Sequence, residues 1–164
     1  MIWVPGNTGH GMTCMNAIPV LVDTNIFCYA FDSGDQKKRG VAKELLARCW
    51  RGEGTHAVSV QNLAEFATIV TEKVAHPLPR AIVQDFLTTV LSFKGWQKIG
   101  YTGETIIQAL NIQSEHDIHF WDALIVATML EHGITTAYSE DRQLTRVPLI
   151  TVLNPFEPDD QSPS

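Results

Sequence analysis

Basic side chains are scarce in this sequence. Its 164 residues include 12 Lys and Arg against 18 Asp and Glu, and the formal net charge at pH 7 is −6. A protein that binds nucleic acid through a broad positive surface needs the opposite balance, because Lys and Arg neutralise the phosphate backbone. We therefore exclude that class and expect any nucleic-acid contact to be local or bridged by a metal ion.

Cysteine usage and hydropathy exclude further classes. The three cysteines, Cys14, Cys28 and Cys49, are odd in number and form no CxxC pair, which excludes a disulfide framework and a zinc knuckle. The first 20 residues lack a basic start followed by an apolar run, and no later segment is long enough to span a bilayer. These patterns predict a cytoplasmic protein with no membrane partner.

The sequence also lacks internal repeats, low-complexity stretches and any linker rich in Pro, Gly and Ser. Its length and its 45% content of hydrophobic residues suffice for one well-buried core. We predict a single domain over residues 19–156. Residues 1–18 are predicted to be an irregular N-terminal extension, and residues 157–164 a flexible acidic tail.

Short β-branched runs alternate with amphipathic segments along the predicted domain. Strands are predicted at 20–22, 57–59, 96–101, 135–138 and 149–153, and helices at 25–30, 36–50, 60–74, 79–91, 103–114 and 120–131. Asp117 is predicted to cap the last of these helices. The alternation predicts an α/β fold with a central, mainly parallel sheet flanked by helices, and ligands bind beyond the carboxyl ends of the strands in such sheets.

Four acidic residues, far apart in the chain, each lie beside an apolar segment of the predicted core. Asp23 and Asp141 follow strands, Glu65 lies on the polar face of a helix, and Asp122 interrupts the first turn of a helix that is apolar nearly all round. Two carboxylates about 4 Å apart repel by roughly 4 kcal/mol at an effective dielectric of 20, so a cluster needs a compensating cation. Oxygen ligands without a matching Cys or His set favour Mg²⁺ or Mn²⁺.

Taken alone, each acidic residue also has an ordinary structural explanation. Asp23 suits a helix N-cap, Glu65 suits a solvated helix face, and Asp122 suits the positive end of a helix dipole. Thr24 is an equally good cap.

The last acidic position and a nearby histidine pair leave other questions open. Asp141 suits a surface turn, and the sequence does not decide whether Glu140 or Asp141 points inward. His116 and His119 are three residues apart, which is weak evidence for a metal pair, and we predict no zinc site there.

Four segments carry these acidic residues in a characteristic order and spacing: VLVDTNIFCYAFD, SVQNLAEFATIV, FWDALIVATMLEHG and YSEDRQL. Together they resemble the PIN-domain ribonucleases, and most closely the VapC-type toxins of bacterial toxin-antitoxin modules, over about Pro19 to Phe156. The resemblance implies a PIN-like fold. It also assigns the family's catalytic and metal-binding acidic positions to Asp23, Glu65, Asp122 and Asp141.

The resemblance implies supporting residues and partners as well. Asn25, Ser59 and Ser139 occupy positions where family members commonly carry small polar residues near the site. An antitoxin protein that covers the site and a homodimer are implied in the same way.

The residues and the resemblance together predict Mg²⁺- or Mn²⁺-dependent hydrolysis of RNA phosphodiester bonds with water as the nucleophile. The sequence contains no Ser-His, Cys-His or phosphate-loop arrangement that would support another mechanism. Candidate phosphate contacts are Arg142 and Arg146 beside the site, with a second basic group at Lys37, Lys38 and Arg39.

Three alternative functions are weighed against this prediction. An aspartyl-phosphate phosphatase would use Asp23 as nucleophile, but such enzymes usually carry a second Asp two residues on, where this chain has Asn25. A catalytically silent PIN-fold binding module would use the acidic patch to hold a basic peptide. A PIN nuclease that processes RNA outside any toxin-antitoxin pair is the third alternative.

Overall fold

A single parallel sheet organises the protein. The computed structural model describes residues 17–157, so nearly all of the predicted N-terminal extension and acidic tail lies outside the described residues. The strand order is β3-β2-β1-β4-β5, with every neighbouring pair parallel. The strands are β1 (Val20–Val22), β2 (His56–Ser59), β3 (Trp96–Ile99), β4 (Thr136–Tyr138) and β5 (Thr151–Leu153).

Helices connect the strands and cover both faces of the sheet. They are α1 (Thr24–Phe31), α2 (Gln36–Trp50), α3 (Val60–Thr68), α4 (Arg80–Ser92), α5 (Gly103–His116) and α6 (Phe120–Glu131). A π-helical segment, Ile69–Lys73, continues α3, and a 3₁₀ turn, Leu144–Arg146, precedes β5. None of the helices within residues 17–157 combines the length and the apolar character needed to cross a membrane.

Side-chain alternation along the strands divides the core into two parts. Leu21 of β1 packs with the cluster that contains α6, whereas the next residue, Val22, packs with the cluster formed by α1 to α4. On the second face Phe27 contacts Phe66 edge-on, with ring centroids 6.1 Å apart. Helix α6 is buried from Ala123 through Met129, as its apolar composition predicts. The sheet is therefore covered on both sides, which a parallel sheet requires.

The predicted α/β class and parallel sheet are confirmed, and most element bounds agree within two residues. The prediction that Asp117 caps α6 is wrong. Asp117 ends α5 in the left-handed region, with φ 51°, a conformation that commonly closes helices and that Asp tolerates better than most residues. His119 instead precedes α6 and makes no side-chain cap.

The register of the central strands determines what meets at the carboxyl edge of the sheet. Leu21 pairs with Ala57 on one side and with Ala137 on the other. Two residues further along each strand, Asp23, Ser59 and Ser139 therefore emerge at the same edge. The Asp23 backbone N–H donates to the Tyr138 carbonyl at 3.1 Å, which fixes the end of β1 against β4.

Candidate active site

Asp23 accepts hydrogen bonds from three separate parts of the fold. Its Oδ1 accepts from the Thr24 backbone N–H at 2.7 Å and from Asn62 Nδ2 at 3.0 Å. Its Oδ2 accepts from Ser139 Oγ at 2.5 Å and from Asn25 Nδ2 at 3.4 Å. Asp23 is thus the N-cap of α1, as the ordinary explanation predicts, and it also joins β1, α3 and the end of β4.

Glu65 is held inside the site by two side chains. Its Oε2 accepts from Thr24 Oγ1 and its Oε1 from Gln61 Nε2, both at 2.9 Å. Gln61 Nε2 also donates to the Trp121 carbonyl at 2.9 Å, which ties α3 to the first turn of α6. Glu65 is therefore not a freely solvated helix residue.

Asp122 and Asp141 belong to the same acidic lining, which also includes Asp32. Together with Asp23 and Glu65 they line one cavity of about 680 Å³ at the carboxyl edge of the sheet. Asp141 is oriented by Ser139 Oγ, which accepts from the Asp141 backbone N–H at 3.0 Å. Four residues from four segments of the chain therefore face one space, although the catalytic role of each stays a prediction.

Glu140 points away from this cavity. Its carboxylate accepts from Tyr29 Oη at 2.5 Å and from Lys38 Nζ at 2.6 Å. The Lys38 ammonium also lies 4.4 Å from the Tyr29 ring centroid. This ion pair fixes the turn after β4, and Asp141 rather than Glu140 is the acid that lines the cavity.

Burial makes the ionised site costly. It raises the pKa of Asp23 from 3.8 to about 6; the hydrogen bonds from Ser139 and Thr24 oppose this shift, and the charges of Glu65 and Asp141 add to it. Burial likewise raises the pKa of Asp122 from 3.8 to about 6, with a further contribution from the Asp141 charge. The cavity therefore favours protons or cations over four bare carboxylates.

The donor set fits a hard divalent cation, but the ligands are not preassembled. Within residues 17–157 no three Asp, Glu, His or Cys side chains converge closely enough to form a metal-binding group. The predicted acidic residues therefore share a cavity without forming a tight cluster, as expected for carboxylates that repel one another when no cation is bound. Asn25 Oδ1 is buried and has no hydrogen-bond partner among the described residues, and carbonyl and carboxylate oxygens are the ligands that Mg²⁺ and Mn²⁺ prefer. The residues present therefore fit such an ion.

The predicted supporting residues differ in how directly they reach the acids. Ser139 and Asn25 contact Asp23. Ser59 makes no hydrogen bond to an acidic side chain of the described region; it caps α3, and its Oγ donates to Asn62 Oδ1 at 2.8 Å. Ser59 therefore orients Asn62, which in turn binds Asp23.

Asn62 and Gln61 are the site residues that the sequence reasoning missed. Both lie on the polar face of α3 beside Glu65, but a polar helix face usually indicates contact with water. The signal that could have identified Asn62 is the capping box, in which a Ser N-cap is followed three residues later by a side chain that reaches back.

The predicted RNA-contacting arginines lie outside the cavity lining. Arg142 lies 3.4 Å from Glu157, and Arg146 donates to the Asp117 carbonyl at 2.6 Å. Lys38 is paired with Glu140, and Arg39 lines a different cavity between α2 and α4. Their contacts with RNA stay a prediction.

The apo protein is expected to become more stable as the pH falls from 7 to 5. The folded-state pKa of Asp23, about 6, lies above its ordinary value of 3.8, so the folded protein takes up a proton before the unfolded chain does. The stabilisation from protonation is therefore present below about pH 4 and is lost as the pH rises through 6. Asp122 contributes with the same sign.

The measurement is the melting temperature of the wild type minus that of Asp122→Asn, in EDTA, between pH 4.5 and 8. This difference isolates the Asp122 contribution, because Asp23 is present in both proteins and cancels, and it should become more positive as the pH falls. Burial lowers the pKa of His56, which acts in the opposite direction, but His56 is present in both proteins and cancels. A difference that does not vary with pH would contradict the expectation.

Comparison with known proteins agrees with this architecture. The family model described as PIN domain matches residues 20–149. No curated protein sequence matches the chain. Among solved structures, VapC20 of Mycobacterium tuberculosis, described as a Sarcin-Ricin loop cleaving toxin, is similar with a TM-score of 0.60 and 23% identity, over 77% of this chain and 92% of that chain.

Two toxin-antitoxin complexes are also similar to this chain. VapBC2 from Rickettsia felis, bound to a DNA fragment from its promoter, has a TM-score of 0.58 and 19% identity. A toxin-antitoxin complex from Klebsiella pneumoniae has a TM-score of 0.56 and 19% identity. Each match covers 84% of this chain and 98% of the other. The fold and the family match together show that the chain belongs to the PIN domain family.

Proposed function

We propose that this protein is a metal-dependent ribonuclease and the toxin of a type II toxin-antitoxin pair. The observation that carries the proposal is the cavity at the carboxyl edge of the PIN-fold sheet, which is lined by Asp23, Glu65, Asp122 and Asp141. The similarity to VapC20, a Sarcin-Ricin loop cleaving toxin, supports both parts of the proposal.

The surroundings of each acidic residue indicate a different role for it in the reaction. Mg²⁺ or Mn²⁺ would be held by Asp23, Asp141 and the side-chain oxygen Oδ1 of Asn25. When bound, the ion lowers the pKa of water and neutralises phosphate charge. Asp122 is the acid whose carboxylate accepts no hydrogen bond from the described residues, and its pKa is raised by burial to about 6. It is therefore the best candidate to accept a proton from the attacking water.

Glu65 and its partners would act by positioning. Thr24 Oγ1 donates to Glu65 and accepts from Asn62 Nδ2, which also donates to Asp23, so the Asp23 and Glu65 carboxylates are connected through the Asn62 amide and the Thr24 hydroxyl. A site held by such a network keeps its geometry when substrate arrives, which is what phosphodiester hydrolysis needs.

The test is cleavage of a mixed pool of structured RNA by the purified protein with Mn²⁺, Mg²⁺ or EDTA. Cutting with either metal and none with EDTA is expected. A folded protein that cuts no RNA under any of these conditions would contradict the proposal and favour the silent binding module. Capture of a basic peptide by the acidic patch would then be the decisive measurement.

An antitoxin partner is proposed on two grounds. The neighbours from Rickettsia felis and Klebsiella pneumoniae are toxin-antitoxin complexes. The acidic cavity also suits a cationic side chain of a protein partner, because Arg and Lys pair with partly buried carboxylates. Such a partner would compete with RNA for the same carboxylates and inhibit cleavage.

The homodimer is expected to form through the exposed apolar face of α5. Ile106, Ile107 and Leu110 lie on this face, and Ile107 is 60% exposed. Contiguous exposed apolar side chains mark association surfaces. The wild type should sediment as a dimer and Ile107→Lys as a monomer, whereas Leu91→Lys on α4, an exposed apolar position elsewhere, should remain a dimer. A monomeric wild type would contradict this expectation.

A further inference from the structure

A second groove opens beside the carboxylate cavity. It encloses about 500 Å³ between α3 and the first turn of α6, and Glu65 lines both spaces. Two aromatic side chains on its walls are open to solvent, with Tyr101 43% exposed and Trp121 59% exposed. Proteins that bind single-stranded nucleic acid stack its bases on exposed aromatic side chains along the path of the strand.

Gln61 lines this groove and connects its two sides. The residue is only 5% exposed, and its Nε2 donates to Glu65 and to the Trp121 carbonyl. Both of those partners are oxygen acceptors, so the amide orientation is determined, and Oε1 must face away from them. Oε1 is buried and has no hydrogen-bond partner within residues 17–157. Because this oxygen has almost no accessible surface, a ligand in the groove does not reach it, and Gln61 acts by holding Glu65 and Trp121 in place through its amide nitrogen.

A basic side chain also lines the groove. Lys73 lines it at the end of the π-helical segment Ile69–Lys73, which departs from regular α-helix next to the site. The Lys73 ammonium is suited to a phosphate of a strand that leaves the carboxylate cavity.

We propose that this groove binds an unpaired nucleotide of the RNA, adjacent to the phosphate that enters the carboxylate cavity. The base stacks against Trp121 and Tyr101, while Lys73 contacts the neighbouring phosphate. The inference rests on the proposed ribonuclease function, because an RNA strand that enters the carboxylate cavity would continue into the groove that shares Glu65 with it.

A second copy of the chain is the competing occupant. An apolar protein face would cover Trp121 and Tyr101 but would leave Lys73 without an anion. A nucleotide supplies both a ring that stacks on the aromatic side chains and a phosphate for Lys73. The groove chemistry therefore favours RNA over a second copy.

The test measures binding of a fluorescein-labelled six-nucleotide RNA of adenosines, in EDTA so that nothing is cut. Trp121→Ala and Tyr101→Ala should each weaken binding by roughly 5- to 150-fold, the range for loss of one base-aromatic stack. Trp121→Phe should retain most of the affinity, and Leu91→Ala, an exposed apolar residue on α4, should not change it. The same RNA with abasic residues keeps its phosphates and should bind wild type and Trp121→Ala equally weakly.

Equal binding of the adenosine RNA by the wild type and Trp121→Ala would overturn the proposal. A change from dimer to monomer in Trp121→Ala with unchanged RNA affinity would assign the groove to a second copy instead. The two proposals fail in different ways. Stacking-dependent binding without metal-dependent cleavage would refute only the ribonuclease, whereas cleavage with identical binding and kcat/KM in Trp121→Ala would refute only the nucleotide groove.

Discussion

Replacing Asp23 with Asn is expected to lower metal-dependent RNA cleavage by at least about 100-fold, because even loss of an outer-shell partner at a metal site costs about 10- to 100-fold. Asn keeps the size of Asp, and its Oδ1 can accept from Thr24 and Asn62 as the carboxylate does. It loses the charge at the end of β1 that would attract a cation, and the oxygen that accepts from Ser139 and Asn25 becomes an amide nitrogen. The variant should therefore fold normally and fail in chemistry.

The measurement is kcat/KM for cleavage of one RNA in Mn²⁺, with circular dichroism and melting temperature to verify the fold. Asp85→Asn provides the matched control, because it makes the same chemical change on the exposed face of α4. Its activity should equal that of the wild type. An Asp23→Asn protein that cuts RNA at the wild-type rate would remove Asp23 from the proposed mechanism.

The helices α2 and α6 could be predicted from sequence with their observed bounds. Both have clear signals: a helical repeat of apolar residues in α2 that stops before glycines, and an apolar run in α6 that ends at His132-Gly133. The cap at Asp117 could not be predicted, because Asp is common both before a helix and in left-handed closing positions. Only the backbone conformation separates these two uses.

The topology predicts that the acidic residues lie close together, because the carboxyl ends of parallel strands share one edge of the sheet. It does not predict which atoms they contact. Asn62 is fully buried and donates to Asp23 and Thr24, which lie about 40 positions earlier in the sequence. The choice between Glu140 and Asp141 likewise depends on Lys38, a residue about 100 positions away, which pairs with Glu140.

Replacement of Asn62 is expected to affect both stability and activity. Its Nδ2 donates to Asp23 and to Thr24 Oγ1, both at 3.0 Å, and its Oδ1 accepts from Ser59. Asn62→Ala removes one hydrogen bond from each of Asp23 and Thr24 and leaves the Ser59 hydroxyl without an acceptor, which costs about 1–3 kcal/mol of unfolding free energy. Loss of a group that orients a metal-binding carboxylate should lower cleavage by about 10- to 100-fold.

Asn62→Asp separates positioning of Asp23 from mere stabilisation of α3. The new side chain keeps the shape of Asn but turns an oxygen toward the Asp23 carboxylate, where Asn62 turns an N–H group. Loss of this donor, together with the negative charge of the new carboxylate when it is ionised, raises the pKa of Asp23 further. The pH at which cleavage reaches half its maximum should therefore move upward in Asn62→Asp. Asn111→Ala, on the exposed face of α5, is the matched control and should change neither stability nor the pH profile. If Asn62 only stabilised the fold, both Asn62 variants would melt earlier but keep the wild-type pH profile, and Asn62 would have no part in setting the state of the Asp23 carboxylate.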